Sequence, residues 1–369
     1  MKKLLGHALF LLVYLLAVIG MNKALVFEKP ADYPAGLEYA KAKVVEVVSE
    51  DLGEDPDYPY IEIGKQILKL EILNGEHKGQ VVEATNYVTR VSQNAGSVGT
   101  KYIVGSYDDF IITMIMYLDR SRTIYFLAAL FLAIVLLVGR KKGVSAIAGL
   151  FITLVNVVFL FMPMLINGVP AILAAIIVVL LSTLYTMVVL NGFSEKSMIA
   201  TISCTLCTAI AGILAYVVGN VSNISTLNTP EAENLLFITE NCSFRIDNLL
   251  TAGILIAAMG AVMDTCMSLV SSLHEMKEQT PSLTGKQLWE SGMNIGKDIM
   301  GTMTNTLALA FVGTSLNSVL VYYMYSMPYV SLINTDFMVV EMVKGIIGSL
   351  AVVLAIPITT LLTAYRLSK

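Results

Sequence analysis

Two hydrophobic rhythms divide the chain. Between about Glu38 and Leu118 apolar and polar residues alternate, whereas from about residue 123 onward long apolar runs follow one another with short polar breaks. A bilayer core about 30 Å thick needs about 20 apolar residues as a helix, because each residue rises about 1.5 Å. Eight stretches meet that length: Leu4 to Met21, Thr123 to Gly139, Val144 to Leu165, Val169 to Leu190, Met198 to Val218, Asn248 to Ser271, Ile299 to Met324 and Val343 to Ala364. The first follows Lys2 and Lys3 as a signal peptide would, but no small-x-small cleavage site follows Gly20, so a retained anchor is expected.

The alternating region contains Ala42 to Val47, Gln66 to Ile72 and Gln80 to Ala84, each with the period of a half-buried strand. Asn74 to Gly79 supplies a glycine-bounded turn between two of them. A small antiparallel β-barrel or OB-like sandwich is expected. The predicted fold class is therefore mainly α: a polytopic membrane helix bundle of about eight spans, with a small extracytoplasmic β-domain between spans 1 and 2. Residues 1–22 would form an N-terminal transmembrane anchor, 23–122 the β-rich domain, and 123–369 a seven-span bundle.

Composition agrees, since 56% of residues are hydrophobic, 14% are charged and the mean hydropathy is +0.73. Soluble domains carry about 25% charged residues. The net charge of −4 and the absence of a basic block interleaved with aromatics exclude a nucleic-acid partner. The bilayer itself is the expected partner.

Basic residues in short loops set orientation, because they stay on the cytoplasmic side. Lys2 and Lys3, Arg140 to Lys142, Lys196, Lys277, Lys286 and Lys297, and Arg366 and Lys369 all fall on one side of the eight-span arrangement. The opposite short loops carry almost none, with Arg245 between spans 5 and 6. Both termini are expected to be cytoplasmic and residues from about 22 to 122 outside.

Within the β-region, the acidic stretch Glu50 to Asp57 does not have the spacing of an EF-hand loop and reads as a solvated, mobile connection. His77, with no second histidine nearby, reads as an exposed turn residue. The four cysteines form no disulfide framework. Cys204 and Cys207 make a C-x-x-C spacing, but mid-span and without a thioredoxin-like context, so small-residue packing with free thiols is the expected role of both.

An ionisable group inside a span costs at least about 2.5 kcal/mol on insertion scales and is functional by default. Such groups concentrate in the last three spans. In span 6, Ala257, Ala261, Asp264 and Ser268 share one helical face, and small residues there would let another helix approach. Span 7 opens with Asp298, Thr302 and Asn305 on one face. Because span 6 runs inward and span 7 starts inside, Asp264, Ser268, Thr302 and Asn305 are expected at one depth, as a polar pocket able to bind a cation or relay a proton. The plainer alternative is hydrogen bonding between helices, which contributes about 0.6 kcal/mol per pair. In span 8, Glu341 and Lys344 are placed to pair near the outer surface, and Pro357 bends the helix farther in. Between spans 6 and 7, Thr284 to Gln287 resembles a capping box opening a short surface helix with Leu288, Trp289 and Ile295 on its interfacial side.

Gly260 to Asp264 with Ser268, Ile295 to Leu307, and Glu341 with Pro357 to Thr359 together resemble the YibE/F-like family of bacterial membrane proteins. The resemblance covers most of the chain from span 2 onward and departs from the family pattern at Phe311 and Asn317. It implies a permease without naming a substrate.

The sequence contains no Walker lysine loop, H-E-x-x-H or G-x-S-x-G motif, so an enzyme is the least supported class. The expected function is a transporter with an ion- or proton-binding layer at Asp264, Ser268, Asp298, Thr302 and Asn305. A coupling ion or proton takes the place of a cofactor. The rival is a non-transporting scaffold whose external β-domain recruits a protein partner.

Overall fold

The computed structural model describes Gly20 and residues 36–107, 109–229, 232–239 and 244–368. The expected first span and N-terminal anchor therefore lie outside the described residues. The chain divides into two compact units, Lys29–Ile134 and Val135–Lys369.

The first unit holds five strands: β1 (Glu38–Glu54), β2 (Glu62–Ile72), β3 (Val81–Val88), β4 (Lys101–Ser106) and β5 (Thr113–Leu118). They form one antiparallel, curled sheet in the order β3-β2-β1-β4-β5, and the edge strands β3 and β5 approach one another. The predicted alternation is visible in β2, where Gln66, Leu68, Leu70 and Ile72 turn inward against Ala40, Ala42 and Val44 of β1 and Tyr102 and Val104 of β4. The turn from Asn74 to Gly79 forms as expected, with φ of +80° at Gly75 and +88° at Gly79, where a side chain would be strained.

The acidic stretch is not a mobile loop. Glu50 to Glu54 continue β1 and pair with Gln66 to Glu62 of β2. Asp55 is buried, accepting two hydrogen bonds from the Arg90 guanidinium, at 2.5 and 2.8 Å, and two from the Asp57 and Tyr58 amides. Charge hid the strand, because this end of β1 is mostly exposed and shows no inward period.

The remaining elements are helical: α1 (Ser121–Asn156), α2 (Met162–Ile166), α3 (Ala171–Asn191), α4 (Glu195–Val221), α5 (Ala232–Thr239), α6 (Leu249–Gln279), α7 (Gly285–Met324), α8 (Tyr329–Leu332) and α9 (Asp336–Leu367). Six helical stretches among the described residues are long and apolar enough to cross a membrane, against the eight expected. One difference is the undescribed first segment. The other is that spans 2 and 3 join as Ser121–Ile166, a continuous run of 46 residues whose helix is broken at Arg140 (φ 47°, ψ −123°). The bend is sharp, since a Cβ at Gly143 would come within 2.4 Å of the Val135 carbonyl oxygen eight residues earlier.

Helices α3, α4, α6 and α9 build the buried core of the second unit. Small side chains recur on every one of these helices: Ala174 and Ala175, Ala200 and Ala211, Ala252 and Ala258, Ala351 and Ala355. Close approach of backbones is how helices associate where lipid and leucine are equally apolar. The capping box at Thr284 and Gln287 forms, but the surface helix it was expected to open is not separate. With no glycine pair or proline to stop it, the helix propagates for 40 residues as α7, and Leu288 is buried against Leu273 of α6 and Ala364 of α9.

Ion pairs mark one end of this bundle. Lys196 at the start of α4 meets Glu278 at the end of α6 at 3.2 Å, Arg366 at the end of α9 meets Glu195, and Gly285 of α7 sits against Ser368.

Candidate functional site

Helix α6 presents two faces. Leu255, Ala258, Val262, Cys266 and Leu269 are buried in the core, whereas Ala257, Asp264 and Ser268 are exposed. The alignment of small and polar residues is as the helical period requires, but the larger apolar face takes the contacts with α3, α4 and α9. Asp298, Thr302 and Asn305 are likewise exposed on α7. Thr302 Oγ1 donates to the Ile299 carbonyl of its own helix at 3.0 Å. Among the described residues, no hydrogen bond or ion pair joins any two of Asp264, Ser268, Asp298, Thr302 and Asn305.

Glu341 and Lys344 do pair, at 2.6 Å, with side chains 16% and 27% exposed. They stand on α9 at the wall of a cavity of about 490 Å³ between α6, α7 and α9. Gly253 and Ala257 of α6 and Thr314, Ser315 and Ser318 of α7 also line it. The small residues Gly253 and Ala257 open the space; three hydroxyls and one ion pair supply its polar groups, among Leu250, Ile254, Phe311 and Phe337. Sequence reasoning named the pair but missed the α7 hydroxyls, because their i, i+3 and i, i+4 spacing is also that of ordinary back-bonding, which Ser315 shows by donating to the Phe311 carbonyl at 2.7 Å.

Asp264 relates to this cavity through its own helix. Gly253 and Ala257 precede it by eleven and seven residues, close to three and two whole turns, so all three lie along one strip of α6.

In the β-unit, Glu38, His77 and Asp109 converge, with one ligand atom from each within 4.8 Å of the others. His77 is not a free turn residue: its ring lies 5.5 Å from that of Phe110 and its Nδ1 is 3.1 Å from Gln80 Oε1. Both carboxylates are exposed to water, and His77 Nε2 stands 3.8 Å from Asp109, so the group is explained as a surface ion pair when the imidazole is charged.

Three free cysteines, Cys204, Cys207 and Cys266, are buried in the helical core, while Cys242 lies outside the described residues.

The family model described as YibE/F-like protein matches residues 127–369. No curated protein and no solved structure matches the chain.

Proposed function

The chain belongs to the YibE/F-like family, and from that membership and the geometry of its bundle we propose that it is a multi-pass membrane permease that binds an ion or proton at a polar cavity between α6, α7 and α9. The observation that carries this reading is the half-buried Glu341–Lys344 pair at the cavity wall. Each charge opposes insertion by about 2.5–3.5 kcal/mol, and such residues line the pathways of ions and substrates. Pairing lowers that cost without removing it. The strip from Gly253 through Ala257 to Asp264 and Ser268 extends polarity from the cavity along α6, which gives Asp264 the role of a second station.

In this reading the bend at Arg140 separates two spans, since a straight run of 46 residues would measure about 69 Å, more than twice a bilayer core. With residues 4–21 as a further span, the count is eight, both termini are cytoplasmic, and the β-unit, read as an OB-like barrel, is extracytoplasmic. One observation favours the scaffold alternative: α7 leaves most of its apolar window uncovered, as a helix awaiting a partner would.

Flux measurements in proteoliposomes across a panel of ions and small solutes test the proposal. Glu341→Gln and Asp264→Asn keep shape and remove charge; both are expected to insert normally and to lose flux. Equal flux from native protein and both variants would remove the assigned site, and no flux of any solute by native protein would favour the scaffold.

A further inference from the structure

Cys204 and Cys207 stand three residues apart on α4 and leave the helix on neighbouring sides of one face. The fold lays α6 against that face and adds a third thiol, Cys266, which neighbours each of the other two, although the three sulfurs do not all lie within 4.8 Å of one another. All three have no exposed surface and none is in a disulfide. Two further helices aim hydroxyls at the sulfurs: Thr359 Oγ1 of α9 donates to Cys266 Sγ at 3.2 Å, and Thr183 Oγ1 of α3 is 3.5 Å from Cys204 Sγ. Alanine would fill a small-residue core equally well, and it would need no hydroxyl beside it. A hydroxyl donor at sulfur is the outer-shell partner that orients and stabilises a thiolate ligand.

We propose that Cys266, with Cys204 or Cys207 as the second ligand, forms a two-sulfur binding site for a soft monovalent cation of the Cu(I) or Ag(I) type at the junction of α3, α4, α6 and α9. Thiolate sulfur selects soft metals, and a set of two sulfurs without imidazole or carboxylate leaves a tetrahedral zinc site short of ligands. Binding is an exchange without redox change: each ligating thiol forms a sulfur–metal bond and loses its proton to solvent. The residues are distinct from those of the Glu341–Lys344 cavity, so the site stands whether or not the protein is a permease.

The test uses the full-length protein in detergent on a Cys242→Ser background, with Ag(I) as the probe and free glutathione as competitor. One equivalent of Ag(I) per chain is expected to survive gel filtration, with proton release on binding. Cys266→Ser is expected to abolish retention, and Thr359→Val to weaken it about tenfold, the low end for loss of an outer-shell partner. X-ray absorption of the Cu(I)-loaded protein, which needs no variant to fold, is expected to show sulfur as the only neighbour of the metal. Failure of the background protein to retain Ag(I), equal retention by a Cys204→Ser/Cys207→Ser/Cys266→Ser variant, or a first shell containing oxygen or nitrogen would each overturn the site and leave the thiols as packing.

Discussion

Asp55 and Asp264 each carry a carboxylate at a place their neighbours in sequence do not explain, and the structure treats them oppositely. Asp55 is buried and tied to Arg90, which holds its carboxyl below the usual carboxylate range, with the Asp57 and Tyr58 amides adding to the effect against burial. A lowered folded-state pKa makes the contribution to stability complete above the unfolded value of about 3.9, and it is lost as pH falls through the lowered value. Asp55→Asn is therefore expected to lower the melting temperature of the β-unit at pH 7, with the gap to native protein closing as the pH falls below about 4. Thermal melts followed by strand circular dichroism check this; a gap that persists unchanged into acid would mean that the carboxylate's charge contributes nothing. Asp264 shows the limit at this scale. Its helical face was readable by counting residues, but both faces of α6 are apolar enough for lipid, so periodicity does not say which one turns inward.

Among whole elements, termini were more readable than extents. The Thr284 and Gln287 capping box marks the start of α7 in the sequence as in the structure, because a cap is a local hydrogen-bond pattern. Its length was not readable, since what turns a surface segment into the first turns of a spanning helix is contact with α9. Two glycines make that contact: Gly292, where a Cβ would meet Thr360 Cγ2 at 2.5 Å, and Gly296, where it would meet Ile356 Cγ2 at 2.1 Å and Ile356 Cβ at 3.2 Å. Ile356 is β-branched and stiff, so Gly296→Ala is expected to destabilise the bundle by about 1–3 kcal/mol through overpacking. Gly301 faces open space, and Gly301→Ala is expected to be neutral or to stabilise by up to about 1 kcal/mol through helix propensity. Thermal unfolding of the two variants in one detergent separates the cases; equal melting temperatures would show that α7 and α9 do not pack as described. In the sheet, the interior alternation of β2 was readable for the same reason as the cap, and the exposed end of β1 was not, because nothing buried imposes a period on it.

For the molecule as a whole, the basic residues of short loops suggested a common side, and several of them share one end of the bundle. Lys196, Arg366 and the α6–α7 turn come together there through pairs with Glu278 and Glu195, although they are far apart in sequence. Cysteine labelling decides on which side of the membrane that end lies and whether the chain crosses twice around Arg140. Arg140, Lys141 and Lys142 are all exposed at the bend, where positive charge would favour the cytoplasm. Tyr87 of β3 is 67% exposed and precedes α1. If the first arm of α1 crosses, a cysteine at position 87 and one at 141 must be on opposite sides; if the second arm and α3 also cross, 141 and 196 must share a side. On a Cys242→Ser background, Tyr87→Cys is expected to react with an impermeant maleimide in intact cells, and Lys141→Cys and Lys196→Cys only after the membrane is opened. Reaction of 87 and 141 from the same side would make the bend at Arg140 a re-entrant turn and remove a span. Reaction of 141 and 196 from outside with 87 protected would keep the count and invert the whole protein, placing the β-unit in the cytoplasm against the charge rule that orients it.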